Sequence, residues 1–311
     1  MLDSISKAFF KGLASSRAIE RLASRYGMRK PAGFARRFVA GESLDEALQA
    51  ARELAGKGMR LSLDQLGEGV AILSEADQAT HVYLDMVRRI VEAGVERNIS
   101  LKLTQLGLNV DRACCTDNLR KVLEATRPFD YFVRIDMEDS PTVQATLDTQ
   151  ATLWNHGYRN VGVVLQASLL RSEEDLLRLN QMGVRVRLVK GAYKEPASVA
   201  YQKKAHVDAA YLRMTKALLT EGTYPAIATH DPAIIEATRL FAAQKGIEKD
   251  RYEFQMLYGI RRDLQTGLVA DGYRVRVYVA FGQHWFPYFM RRLGERPANV
   301  GFILRGIFSE K

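Results

Sequence analysis

Apolar positions recur at two periods along the chain, and the period changes near residue 60. Over residues 1–60 the spacing is helical throughout. Ser43 and Glu46 stand three apart ahead of the periodic stretch LDEALQAARELAGKG. At that spacing each side chain accepts a hydrogen bond from the other's backbone amide, which starts a helix. Gly56 and Gly58 then supply the stop. From residue 61 short β-like runs alternate with helical stretches: LSLDQL from Leu61, SLKLTQL from Ser100, YFVRIDM from Tyr131, VGVVLQA from Val161, VRVRLVK from Val184, PAIATHD from Pro225, YEFQML from Tyr252 and YRVRVYVA from Tyr273. They follow one another at an average of about 30 residues, the length of one strand–helix unit.

Eight such units predict an α/β fold, a (β/α)8 TIM-type barrel over 61–311, with residues 1–60 as a helical arm. The competing arrangement is an open doubly wound sheet, which usually carries a glycine-rich first turn over a nucleotide. Here the first run leads into LGEGVAI, with Gly67 and Gly69 but no third glycine in register, and no G-x-x-x-x-G-K-[ST] occurs anywhere. The barrel is therefore preferred.

Composition narrows the class. Among 311 residues, 45 Lys and Arg stand against 36 Asp and Glu, a net charge of +9, and 47% are hydrophobic. That excludes a disordered chain. No apolar run approaches the roughly 20 residues of a membrane span, and the N-terminus has no run suited to a secretory signal. The protein is read as cytoplasmic. No arginine-rich tract, zinc finger or RNP-type motif accompanies the charge, so no nucleic acid is expected. The basic, partly amphipathic KAFFKGLASSRAIERLASRYGMRKPAGFARRFV either lies on a membrane surface or packs on the core. Cys114 and Cys115, the two cysteines, are adjacent, which excludes a disulfide framework and a Cys-rich zinc site. The five histidines show no ligand spacing, and no metal is expected.

Barrel active sites lie at the C-terminal ends of the strands, and here those ends are polar: Asp64, Lys102, Asp136, Gln166, Arg187 with Lys190, Thr229 with His230, Gln255 and Tyr278. Such charges are costly unless paired or in use. Their mixed sign suits a zwitterion. A second cluster lies in HWFPYFMRRLGERP. A helix opening near Pro287 puts Tyr288, Arg291, Arg292 and Glu295 on one face. Two adjacent guanidiniums can bind a carboxylate through charge-assisted bonds. The same residues could equally form ion pairs with Glu295 on a solvated helix.

RLVKGAYKE (187–195), ATHD (228–231), YEFQMLYGIR (252–261), RIDMED (134–139), KLTQLG (102–107) and YFMRR (288–292), in this order and spacing, resemble proline dehydrogenase from about residue 60 onward. The chain looks like a compact monofunctional bacterial form, without the fused aldehyde dehydrogenase part. The resemblance implies a distorted (β/α)8 barrel that binds FAD. It also implies oxidation of L-proline to Δ1-pyrroline-5-carboxylate by hydride transfer to flavin N5, with electrons passed to a membrane quinone. A peripheral contact with the inner face of the cell membrane, and a pyrroline-5-carboxylate dehydrogenase as partner, belong to the same expectation. Carried onto this sequence, Arg187 would sit by the flavin N5 edge and stabilise charge on the reduced ring. Lys190, Gly191 and Ala192 would approach FAD, Gln166 would hydrogen-bond its ring, Met137 would add main-chain or packing contacts, and Thr229 and His230 would contact its distal part. Arg291, Arg292 and Lys102 would clamp the substrate carboxylate. Tyr288, Tyr193 and Tyr278 would line the pocket, and Asp136 would lie near the substrate amine.

Two other classes remain open on the residues. A Schiff-base aldolase would use Lys102 or Lys190 as nucleophile, but it leaves the paired arginines idle. A basic module without catalysis would leave the mixed-charge strand ends idle. Hydroxyproline or another cyclic amino acid is a further candidate substrate, because one hydroxyl depends on few contacts.

Overall fold

The eight apolar runs form eight parallel strands that close on themselves, each paired with the next in sequence and the last with the first. This is seen in a computed structural model that describes Met28 and residues 33–295. The strands are β1 (Arg60–Gln65), β2 (Asn98–Leu101), β3 (Phe132–Ile135), β4 (Val161–Gln166), β5 (Val186–Val189), β6 (Ala226–Ala228), β7 (Glu253–Leu257) and β8 (Val275–Phe281). Side chains alternate across each strand. Leu61, Leu63, Ile99, Val133, Leu188 and Val277 are fully buried in the main apolar core. The intervening residues meet across the barrel: Ser62 and Ser100 hydroxyls lie 3.0 Å apart, and Arg187 on β5 reaches Ser100 on β2 at 3.0 Å. The barrel interior is therefore charged and hydrogen-bonded, where such barrels are usually filled by branched apolar side chains.

The lower part of this interior centres on Arg276. Its guanidinium donates to Glu253 at 2.6 and 3.0 Å, to Glu96 at 2.8 Å and to the Leu61 carbonyl at 2.7 Å. Tyr224 and Gln255 also donate to the Glu253 carboxylate. Burial opposes the Glu253 charge, but Arg276 outweighs it, with Gln255 and Arg134 adding to the effect, and the carboxyl falls to about 2.

The polar runs correct two expectations. The run from Ser100 gives strand only to Leu101, because Lys102–Val110 turns away from the sheet. That turn frees the Lys102 side chain to reach Asp64 and Thr104 to bind Glu138. Arg187, Gln255 and Tyr278 lie within their strands, inside the barrel, and not at the strand ends.

The residue 43–46 capping box is present and opens α1 (Leu44–Ala55), which closes at Gly56. This helix packs on β1 and β8. The helix that follows β8, α9 (Trp285–Glu295), joins a separate apolar cluster instead. There Phe289 meets Phe34, Phe38 and Trp285 at ring-centroid distances of 5.5–6.1 Å, and Leu66 and Ala280 from the upper barrel join them. α9 thus lies over the C-terminal end of the barrel. Gly259, after β7, has φ +73°, and a Cβ there would strike the Arg37 carbonyl carried by this neighbouring segment. Among the described residues no helix is long and apolar enough to cross a membrane. The amphipathic stretch before Gly33, apart from Met28, lies outside the described residues.

A test follows from Glu253. Because its carboxyl lies below the unfolded value near 4.5, its stabilisation is complete above that pH and is lost as pH falls towards about 2. Replacing it by Gln should lower unfolding free energy at pH 7 by about 3 kcal/mol. In urea unfolding the gap between Glu253→Gln and the parent should close as pH falls from 5 to 2.5, roughly as the linkage dictates. A gap independent of pH would contradict this.

Candidate active site

A cavity of about 550 Å³ opens at the C-terminal ends of the strands, and the residues to which the family resemblance gave roles line it, whereas Asp64 does not. Lys102, Asp136, Met137, Gln166, Arg187, Lys190, Gly191, Ala192, Tyr193, Thr229, His230 and Tyr278 come from the strands and the loops that follow them. Tyr288, Arg291 and Arg292 come from α9. The cavity has three chemically distinct parts.

The centre is a network of buried charge. Arg187 donates to Asp136 at 2.7 Å, to Gln255 at 2.5 Å and to Ser100 at 3.0 Å, so all three guanidinium nitrogens are committed. The other oxygen of Asp136 accepts from the Tyr278 hydroxyl at 2.7 Å. The Tyr278 ring lies 5.3 Å from the Arg187 guanidinium carbon. Lys102 sits 3.4 Å from Asp64 and 4.0 Å from Asp136. Burial works against the Lys102 charge, but Asp64, Asp136 and Glu68 together outweigh it and hold the ammonium above the ordinary lysine range. Asp64 is wholly buried, and burial raises its carboxyl despite Lys102. Burial, then Asp136 and Asp64, push the Tyr278 hydroxyl far up, so it stays a proton donor.

At the α9 end two guanidiniums face the cavity. Arg291 lies 3.6 Å from Glu68 and 6.0 Å from the Tyr193 ring centroid, and Arg292 lies 5.2 Å from that of Tyr288. Burial pushes the Tyr193 hydroxyl up to about 12. Arg291 and Arg292 are half-buried and line the cavity, so they do not stand on a fully solvated face; the Glu295 side chain, their alternative partner from the sequence, lies outside the described residues.

The third part lies towards the β5–β7 side. Lys190 bridges Asp208 at 2.6 Å and Asp231 at 2.9 Å, and so does not face Asp64 or Asp136. Lys204 joins the same pair of carboxylates. Glu195, in the loop after β5, accepts from the Ser140 amide and hydroxyl. His230 Nε2 accepts from the Leu257 amide at 2.9 Å, so that nitrogen carries no proton. Asp231 also caps α7 (Pro232–Gln244) through the Ala233 amide.

Several lining residues went unnoticed or unused in the sequence. Gln255 was visible at a strand end without an assigned task, yet it joins Arg187 to Glu253 through its two amide atoms. Asp231 follows ATH directly and could have been read as a helix cap. Lys204 and Arg261, on a helix and a loop, carry no local signal.

Between these polar parts, Val164, Val189, Met256 and Leu257 give apolar walls. Gln166 is anchored by the Glu138 carbonyl at 2.7 Å. The cavity could thus hold a flat apolar ring system carrying an anionic tail near Lys190 and Lys204. Gly191 shapes the wall: its φ is +109°, and a Cβ there would lie 2.2 Å from the Ser168 hydroxyl.

The family model for proline dehydrogenase matches residues 47–305. The chain belongs to the proline dehydrogenase family. It is 38% identical to proline dehydrogenase 2 of Bacillus subtilis (strain 168), over 97% of this chain and 99% of that one. It is 39% identical to proline dehydrogenase of Deinococcus radiodurans, over 99% of both. Among solved structures, proline utilization A (PutA) from Bdellovibrio bacteriovorus, inactivated by N-propargylglycine, superposes with a TM-score of 0.80 at 29% identity. The match covers 89% of this chain and 34% of that one, so this family member spans about a third of the larger protein.

Gly191→Ala tests the wall of this family site. The positive φ and the contact with Ser168 should force the loop from Lys190 to Ala192 to shift, costing about 1–3 kcal/mol of stability. Thermal unfolding reads the outcome: Gly191→Ala should unfold at a lower temperature than the parent. An unchanged unfolding temperature would show that the loop tolerates a Cβ there.

Proposed function

We propose that this chain oxidises L-proline to Δ1-pyrroline-5-carboxylate, the opening step of proline catabolism, using bound FAD. The observation that carries this reading is the division of one cavity into a double-arginine end, a buried Arg187–Asp136–Tyr278 centre and a Lys190–Lys204 end. Lys190, Gly191, Ala192, Gln166, Met137, Thr229, His230 and Arg187 would hold the cofactor, with Lys190 and Lys204 complementing the charge of its diphosphate. FAD held there would supply the hydride acceptor for the carbon next to the proline nitrogen.

The protein's own residues then bind, orient and exclude water. Arg291 and Arg292 would clamp the carboxylate, with Lys102 as a third cation. Arg291 must exchange its 3.6 Å contact with Glu68 for that carboxylate or share it. Tyr193, Tyr278 and Tyr288 would pack about the pyrrolidine ring. Hydride loss needs a neutral amine, and the surrounding cations disfavour the ammonium form. Asp136 has both oxygens engaged, so it would act by holding Arg187 and Tyr278 in place; a fixed cation there would stabilise charge that develops on electron transfer. His230 would serve as a structural acceptor.

The electron acceptor proposed is a membrane quinone, met by peripheral contact at the inner face of the cell membrane. The net charge of +9 supports attraction to an anionic leaflet. A pyrroline-5-carboxylate dehydrogenase would consume the product. The helical arm (1–60) and catalytic barrel (61–311) are the proposed division of the chain. A Schiff-base aldolase is disfavoured, because Lys102 and Lys190 are each already engaged by two carboxylates, Asp64 with Asp136 and Asp208 with Asp231.

The visible spectrum of the purified protein tests the proposal. It should show a flavin that bleaches on anaerobic addition of L-proline. Arg291→Ala and Arg292→Ala should keep the colour while KM for L-proline rises by about 100-fold or more, since each loses a charge-assisted contact. A protein that neither carries nor takes up FAD would overturn the proposal.

A further inference from the structure

The opposite end of the barrel carries a second crater, of about 850 Å³, that the chemistry above does not use. Arg60, Arg97, Arg159, Arg185 and Arg274 line it together with Tyr224. We propose that this N-terminal mouth of the barrel is a binding site for a ligand bearing two or more phosphate charges.

The charge balance is the first support. A network built for stability interleaves acids with its arginines. Here the lining carboxylates are Glu96 and Asp130, and Glu96 is already bound by Arg276 at 2.8 Å and by the Leu61 amide at 2.8 Å. Arg60, Arg97, Arg159 and Arg185 have no carboxylate within 4.0 Å among the described residues. Arg274 has one carboxylate contact, with Asp250 at 3.6 Å. Beneath them Arg134, buried inside the barrel, donates to the Val163 and Arg185 carbonyls and adds a further cation without a carboxylate partner. Like charges gathered at a low-dielectric wall repel, and an anion relieves that repulsion.

The second support is how the guanidiniums are held. The Phe132 ring has Arg134 at 4.7 Å and Arg185 at 5.0 Å. The Tyr224 ring has Arg185 at 5.4 Å and Arg274 at 5.7 Å. Aromatic contacts orient arginines without neutralising them, and leave N–H groups for a ligand. Tyr224 is the hub. Its hydroxyl accepts from Arg60 and Arg274, each at 3.4 Å, and donates to Glu253 at 3.1 Å. Its φ of +48° is unusual for a bulky residue, and such strain is maintained where the surroundings impose it.

The ligand chemistry follows. Planar guanidinium forks match phosphate oxygens, and several of them around one crater suit a polyanion better than a single carboxylate. The volume lies within the range of small-molecule sites. The site faces away from the C-terminal cavity, so both can fill together. The same chemistry is offered by a free polyphosphate and by a phosphorylated lipid headgroup.

Calorimetric titration of the FAD-saturated full chain with inorganic pyrophosphate, at fixed ionic strength, tests the proposal; FAD saturation keeps the probe out of the C-terminal cavity. One saturable site is expected. Arg97→Gln and Arg185→Gln, both exposed and therefore tolerant positions, should each weaken binding about tenfold, the loss of one charge-assisted contact. Their kinetics with L-proline should stay unchanged. Vesicles of phosphatidylcholine doped with phosphatidylinositol bisphosphate form the second arm. Binding to them that pyrophosphate displaces would assign a lipid headgroup, and pyrophosphate binding alone would assign a soluble ligand. Absence of saturable binding in both arms, or binding untouched by both substitutions, overturns the proposal.

Discussion

One carboxylate organises the upper barrel. Asp136 holds Arg187 through one oxygen and Tyr278 through the other, with Lys102 at 4.0 Å. A guanidinium taken out of water is tolerable only if its donors find acceptors and its charge finds a counterion. Asp136, Gln255 and Ser100 meet that demand together, and they come from the position just past β3, from β7 and from β2. Closing the barrel is what brings them to one point. The same closure supplies the second counterion system below, where Arg276 and Glu253 pair, and Gln255 joins the two levels.

The cavity above depends on where the helices go. With α1 packed on β1 and β8, the helix after β8 is released to lie over the barrel mouth with its apolar face on Phe34 and Phe38. Its other face turns Tyr288, Arg291 and Arg292 into the cavity. Arginines then stand at one end of the chamber and a Lys190–Lys204 cluster, balanced by Asp208 and Asp231, at the other, over a floor whose own charge is internally balanced. That arrangement fits a zwitterionic amino acid beside an anionic cofactor.

Much of this was legible in the sequence. Strand existence and order followed from the eight apolar runs, because a buried parallel strand announces itself by β-branched and aliphatic residues. The capping box at Ser43 and Glu46 specified a helix start by purely local chemistry. The site residues were legible through motifs whose members share one loop, such as Lys190–Tyr193, or one helix face, such as Tyr288–Arg292. What sequence could not give was pairing across the barrel. Gln255 and Ser100 look ordinary until the barrel puts them against Arg187, and Lys190 finds Asp208 and Asp231 only through packing of α6 (Lys204–Glu221) and α7. The depth of Arg187 and Tyr278 was misjudged for a related reason. Alternation tells which face a residue takes, whereas height inside a barrel depends on strand stagger.

Arg187, buried and held by an acid, is proposed to support the chemical step and not merely binding. Anaerobic rapid mixing of L-proline with the parent and with Arg187→Gln measures this directly, by separating the limiting rate of flavin reduction from the apparent Kd for proline. The limiting rate should fall by about 100-fold or more, in line with the loss of one preorganised charge at a reaction centre, with Kd changed by less than about tenfold. A variant that reduces its flavin at the parent's rate, or that loses only affinity, would contradict it.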